Sequence, residues 1–220
     1  MKYVIKFEKT GVICYTSHLD ILKVFKRSFK RADIRLDYSK GFNPHPKMGF
    51  AQPLSLGYSG YCEYLEFETI DESKSPEEII SLMRAIMPEG LNLISIKKVP
   101  ELKKTLASIT VAADYSITVP VETDLSGSEL GEKYMNQPEI RAFKRQKKKK
   151  EPVLVNIKPK IRRIDFRTSD DCIRIDCCLD AGSESNLSPE LVIDSFIECF
   201  GFTVDKADIH VSRTNIQFKE

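Results

Sequence analysis

Two short phrases carry residue types able to do chemistry. In Thr16-Ser17-His18-Leu19-Asp20 a hydroxyl, an imidazole and a carboxylate fall together where an amphipathic helix is expected to begin. The unpaired backbone N–H groups of a helix start favour anions, so the phrase fits a phosphate or nucleotide site. Ser17 and Asp20 also have the spacing that simply caps a helix, which leaves His18 as a first-turn residue. No triad follows from this spacing. If the protein were itself an enzyme, His18 or Asp20 would be the general base or nucleophile, and would have to reach a flipped base.

The second phrase is Gly41-Phe42-Asn43-Pro44-His45-Pro46-Lys47. It offers an aromatic ring, an amide, an imidazole and a cation on a backbone stiffened by two prolines. Those groups suit stacking on a base and hydrogen bonding to a base or phosphate. The prolines also reduce the entropy that binding must overcome. The plain alternative is a Pro-rich connection whose Phe42 and Phe50 pack onto a sheet. Taken together, Ser17, His18, Asp20, Asn43, His45 and Lys47 are expected to form one polar pocket.

Charge supplies a third feature. Between Arg141 and Arg167 twelve Lys or Arg face two acids, Glu151 and Asp165, leaving 22 basic and 30 acidic residues in the rest of the chain. The net charge of +2 conceals this asymmetry. Arg141, Lys144, Arg145, Lys147, Lys148, Lys149, Lys150, Lys158, Lys160, Arg162 and Arg163 form the electrostatic footprint expected for RNA. A Lys-rich solvated loop with no ligand has the same composition.

Other signatures are absent from the sequence. It has no Cys-x-x-x-Cys-x-x-Cys for an iron-sulfur cluster, no P-loop and no Cys-x-x-Cys pair. Cys172, Cys177 and Cys178 alternate with Ile173 and Ile175 as buried strand residues do, so no metal is expected. Asp208-Ile209-His210 begins like the cobalamin-binding Asp-x-His-x-x-Gly phrase, but Arg213 stands at the Gly position. The six cysteines read as small hydrophobes in a reduced compartment. There is no apolar run of membrane-spanning length, and residues 1–7 alternate like a strand rather than a signal peptide, so a cytoplasmic protein without a membrane is expected.

The elements that must position these groups follow from hydrophobic period. Strand 3–7 leads to a helix from Ser17 with Leu22, Phe25 and Phe29 inward and Lys23, Lys26, Arg27, Lys30 and Arg31 mostly outward. Strands 34–38 and 62–70 precede a helix opened by Ser75-Pro76-Glu77-Glu78, and strand 91–96 closes the phrase. The order returns later: strand 115–121, helix 129–135, strand-like 153–155, strand 173–179, a helix after Ser188-Pro189-Glu190, then Gly201 and strand 209–211. The expected class is α+β, two tandem ferredoxin-like βαββαβ units with antiparallel sheets. The first spans 1–104, and the second spans 105–220 with a basic insertion at 141–163.

Several phrases together resemble a family of radical SAM-linked proteins of unknown function. They are Phe7-Glu8-Lys9-Thr10-Gly11, residues 15–20, Phe25-Lys26-Arg27, residues 38–47 and Pro53-Leu54-Ser55-Leu56-Gly57. Members occur free-standing, as here, or fused behind a cobalamin-binding radical SAM enzyme. The resemblance implies a radical SAM partner. S-adenosylmethionine, the iron-sulfur cluster and cobalamin belong to that partner, with no cofactor in this chain. It points to RNA as the substrate, because genes of the family often lie beside those for a ribonuclease and ribosomal proteins. The doubled architecture resembles tRNA pseudouridine synthases, but Arg167-Thr168-Ser169-Asp170 breaks their Arg-Thr-Asp-like phrase and lies in the other half. The leading expectation is therefore an RNA-binding accessory that presents tRNA or rRNA for modification, not a catalyst. The alternatives are an RNA-modifying enzyme in its own right and a structural partner without RNA contact.

Overall fold

Strand β1 (Lys2–Lys9) buries Tyr3, Ile5 and Phe7 at alternate positions, the period that one covered sheet face demands. The computed structural model describes residues 1–100, 104–145 and 151–219. The chain divides into two compact units, Met1–Thr110 with Phe218–Glu220, and Val111–Gln217.

In the first unit β1 pairs antiparallel with β3 (Ser59–Glu68) on one side and β4 (Leu91–Val99) on the other. The three-residue β2 (Met48–Phe50) pairs antiparallel with β3, placing Met48 opposite Phe67 and Phe50 opposite Leu65. Helix α1 (His18–Arg31) packs Ile21, Phe25 and Phe29 into the core formed with Tyr3, Phe7 and Phe67. It ends in a Schellman arrangement: Ile34 N–H bonds Phe29 O at 2.9 Å, Asp33 N–H bonds Lys30 O at 3.2 Å, and Asp33 takes φ 52°. Helix α2 (Pro76–Arg84) has a full capping box between Ser75 and Glu78. A short α3 (Leu106–Ile109), capped by Thr105, completes the unit.

The second unit is built from β5 (Thr110–Val119), α4 (Gly127–Met135), β6 (Arg141–Lys144), β7 (Val153–Asn156), β8 (Ile161–Thr168), β9 (Ile173–Asp180), α5 (Pro189–Phe200) and β10 (His210–Phe218). Its strand order is β10-β5-β9-β8, while β6 and β7 form a separate two-stranded hairpin. Helix α4 needs Gly127, because a Cβ there would stand 2.1 Å from the carbonyl oxygen of Phe166 on β8. The core is aromatic, with Tyr134, Phe166 and Phe196 in mutual contact and the Tyr134 hydroxyl bonded to Ser195 Oγ at 2.6 Å. Helix α5 closes on Gly201 in the left-handed region at φ 68°.

The structure is thus a mixed α+β protein. Residues 34–38, expected as a strand, make only two isolated bridges, Leu36 to Thr69 and Tyr38 to Pro46. Ile34 and Leu36 are buried on the expected alternation, but no continuous ladder forms beside them. All six cysteines are free, and burial pushes the Cys177 thiol far up from its ordinary value. Among the described residues no helix is long and apolar enough to cross a membrane, and no cluster of His, Cys, Asp and Glu has metal-site geometry.

Candidate functional site

The start of α1 is built by a 3-10 turn, Gly11–Tyr15, that carries the chain from β1 to Ser17. Ser17 Oγ accepts from the Asp20 N–H at 3.2 Å and donates to Asp20 Oδ2 at 2.7 Å, while Lys23 Nζ donates to Asp20 Oδ1 at 2.8 Å. Lys23 first, then Ser17, holds the Asp20 carboxyl below its ordinary value. A carboxylate so held is poorly matched to general-base work near neutrality. Because the folded value is depressed, its contribution to stability is present above the unfolded value of ~3.9 and disappears as pH falls through the folded one. In a carboxyl-carbon NMR titration, Asp20 should turn over below the ordinary aspartate range, and in Lys23→Ala its midpoint should rise. An unchanged midpoint would show that Lys23 does not set it.

His18 is exposed and lines a hollow with Lys9, Gln52, Glu63 and the rings of Phe7 and Phe50. The hollow measures ≈ 20 Å³, room for about one water. Lys9 and Glu63 are both buried there, and Lys9 Nζ donates to the carbonyls of Cys14 at 3.1 Å and Thr16 at 3.0 Å. The sequence reading passed over this pair. Its signal was period 2: Lys9 follows Phe7, and Glu63 precedes Leu65, at inward positions of their strands.

The 39–47 loop is exposed and closes on itself. Ser39 N–H bonds His45 O at 2.8 Å, and His45 N–H returns a bond to Ser39 Oγ at 3.0 Å. Lys47 Nζ donates to Asp37 Oδ2 at 2.6 Å and Glu68 Oε2 at 3.0 Å, and these carboxylates raise its ammonium above the ordinary value. Phe42 is fully exposed, while Phe50 packs against Phe7 and Phe25. Lys47 lines a hollow with Lys2, Glu66 and Glu68 that is separate from the one at His18, and neither is lined by Asn43 or His45.

The basic stretch divides in two. Arg141, Lys144 and Arg145 lie on or beside the β6–β7 hairpin, with Arg141 paired to Glu139 at 2.6 Å. On that hairpin Phe143 stands opposite Leu154, both exposed. Lys144, Arg145 and Phe143 line a groove of ≈ 660 Å³ with the start of α5. Lys147, Lys148, Lys149 and Lys150 lie outside the described residues. Lys158 and Lys160 fall in a 3-10 turn, where Lys158 Nζ donates to Gln137 O at 2.7 Å. On β8, Arg162 pairs with Asp180 at 2.7 Å, and Arg163 lies 3.4 Å from Asp165 and 3.8 Å from Asp114.

A further surface was legible as a basic helix face but was not assigned to a ligand. Lys23, Lys26, Arg27 and Lys30 of α1, with Arg35 and Tyr38, line a groove of ≈ 660 Å³.

Residues 2–189 match the family model described as an uncharacterized protein conserved in bacteria, DUF2344. The chain belongs to that family. A comparison of this DUF2344 protein with curated proteins finds no match. Among solved structures it is similar to a chain from a Cbf5-Nop10-Gar1 complex at 13% identity and a TM-score of 0.55, covering 99% of this chain and 50% of the other. The DUF2344 chain therefore spans about half the length of that chain, and at this identity the likeness is one of fold. An unknown protein from Galdieria sulphuraria aligns at 11% identity over 96% of this chain and 97% of its own, with a TM-score of 0.29.

Proposed function

We propose that this DUF2344 protein is an RNA-binding accessory that presents tRNA or rRNA to a radical SAM enzyme for modification. Each unit is a ferredoxin-like βαββαβ element. The antiparallel pairs β4-β1-β3 with β2 on β3, and the order β10-β5-β9-β8, support that assignment, with β6–β7 as an insertion in the second unit. Catalysis is left to the partner, which brings S-adenosylmethionine and its metal cofactors. The chain similar to this one comes from an assembly of several proteins by its name, which agrees with work in a complex.

The observation that carries the RNA reading is the β6–β7 hairpin. It joins an exposed aromatic, Phe143, to the cations Arg141, Lys144 and Arg145 on a two-stranded ribbon. Cations along a phosphate backbone give affinity, and an exposed ring gives a base a stacking surface. A solvated loop has no need to expose Phe143.

Binding of tRNA and rRNA fragments measured against salt tests this. Lys144→Ala with Arg145→Ala should flatten the log–log salt slope by about 1.5, and Phe143→Ala should weaken binding by about 1–3 kcal/mol. Absence of any salt-dependent complex, or variants indistinguishable from the parent, overturns the reading.

A further inference from the structure

We infer that the groove along α1 is a second RNA contact, in the first unit, and that it takes a single strand. The inference rests on RNA being the ligand, but it shares no residue with the hairpin.

The packing of α1 decides which of its side chains face out. Ile21, Phe25 and Phe29 fix one side in the core, so Lys23, Lys26, Arg27 and Lys30 are held at one-turn intervals on the other. From Lys23 to Lys30 the helix rises ~10 Å. That length matches about three steps of a stacked strand at ~3.4 Å each. Residues 34–36 form the opposite wall, with Ile34 and Leu36 buried and Arg35 exposed.

Only part of the positive charge there is matched by ion pairs among the described residues. Lys23 pairs with Asp20 and Arg35 with Asp71, but among the described residues no ion pair involves Lys26, Arg27 or Lys30. Among the described residues Asp33 is the one acid lining the groove, and its carboxylate lies 3.8 Å from Lys74 Nζ.

Tyr38 separates a nucleic acid from an acidic peptide as the occupant. Tyr38 lines the groove and is exposed, with Lys26 Nζ 6.0 Å from its ring centroid. An aromatic face beside a row of cations is the combination that holds an unpaired base next to its phosphate. A duplex keeps its bases stacked inside and offers Tyr38 nothing, whereas a single strand uses both features.

The test uses the full chain with a short single-stranded oligoribonucleotide, the same sequence as a duplex, and a polyglutamate peptide. Lys26→Ala, Arg27→Ala and Lys30→Ala are combined in one variant, which alanine's helix propensity should keep folded; circular dichroism checks this. The combined variant should bind the single strand about tenfold or more weakly and with a shallower salt slope. Tyr38→Ala should weaken the single strand at least about fivefold while leaving the duplex unchanged, and Tyr38→Phe should restore it. If groove variants bind like the parent while the hairpin variants lose RNA, this inference falls and the proposed function stands. If the parent binds no RNA, both fall. If the groove variants lose polyglutamate alone, the groove is an acidic-protein site and the inference is overturned.

Discussion

Replacing Glu66 with alanine should lower the stability of the first unit by about 3–5 kcal/mol. Glu66 on β3 meets Lys2 on β1 at 2.7 Å, with side chains only 10% and 7% exposed. The same carboxylate oxygen accepts the Leu106 N–H at 3.1 Å, and Lys2 Nζ also reaches Lys104 O at 3.5 Å. Truncating Glu66 strands a buried ammonium and a buried N–H together, and an unmatched buried charge is the larger of the two penalties. The double variant Lys2→Met/Glu66→Leu removes both charges and should recover most of the loss, leaving the Leu106 N–H and the Lys104 carbonyl without these side-chain partners. Amide hydrogen exchange in β1 and β3 under native conditions measures this locally, which suits a chain of two units whose global unfolding need not be two-state. If Glu66→Ala protects those amides as well as the parent does, the pair is not what ties β1, β3 and residues 104–106 together.

Much of this architecture was legible because local and tertiary preferences agree. Ser17, Ser75 and Ser188 each sit at an N-cap, and each is followed by an apolar face at helical spacing. Gly201 stops α5 where a left-handed residue was required. The misses have a common physical origin. β2 is three residues long and follows a proline-rich loop, so it has no period to read. β6 and β8 are dominated by charge: β6 buries only Ala142, and β8 only Ile161 and Phe166. Their pairing comes from partner backbone rather than from their own apolar pattern. Residues 34–38 erred the other way, with alternation present but no ladder to join.

The chemistry was less legible than the fold. For Ser17, His18 and Asp20 the sequence offered both a phosphate site and a plain helix cap, and Ser17 and Asp20 do cap α1, with Lys23 also bonded to Asp20. Lys47 looked like an available cation and is held by Asp37 and Glu68. The cap is local and was readable from spacing, but the partners of Lys47 cannot be read without knowing which residues lie across a strand or a turn. Arg162 and Arg163 likewise meet Asp180 and Asp114 only once β8, β9 and β5 are laid side by side. By contrast, the cations on α1 were visible from period alone. What the sequence did not show was that residues 34–38 return beside that face and make it one wall of a groove.

Phe25 links that groove to the core, and Phe25→Ala should cost about 3–5 kcal/mol. The ring is fully buried and meets Phe7 edge-on at 5.1 Å and Phe50 at 6.1 Å, with Phe29 at 6.4 Å. Alanine leaves a cavity lined by aromatic rings that cannot all move inward, so the loss exceeds the transfer term alone. Its functional consequence follows from position. Phe25 fixes the rotation of α1 about its axis, and that rotation decides where Lys26, Arg27 and Lys30 point. Phe25→Leu keeps more of the volume and should lose less stability and less single-strand affinity, whereas Phe25→Ala should lose both. Thermal unfolding together with oligoribonucleotide affinity, measured below the midpoint of each variant, separates the two effects. A variant that is destabilised by this amount yet binds the single strand as the parent does would show that the cations on α1 need no rigid helix beneath them.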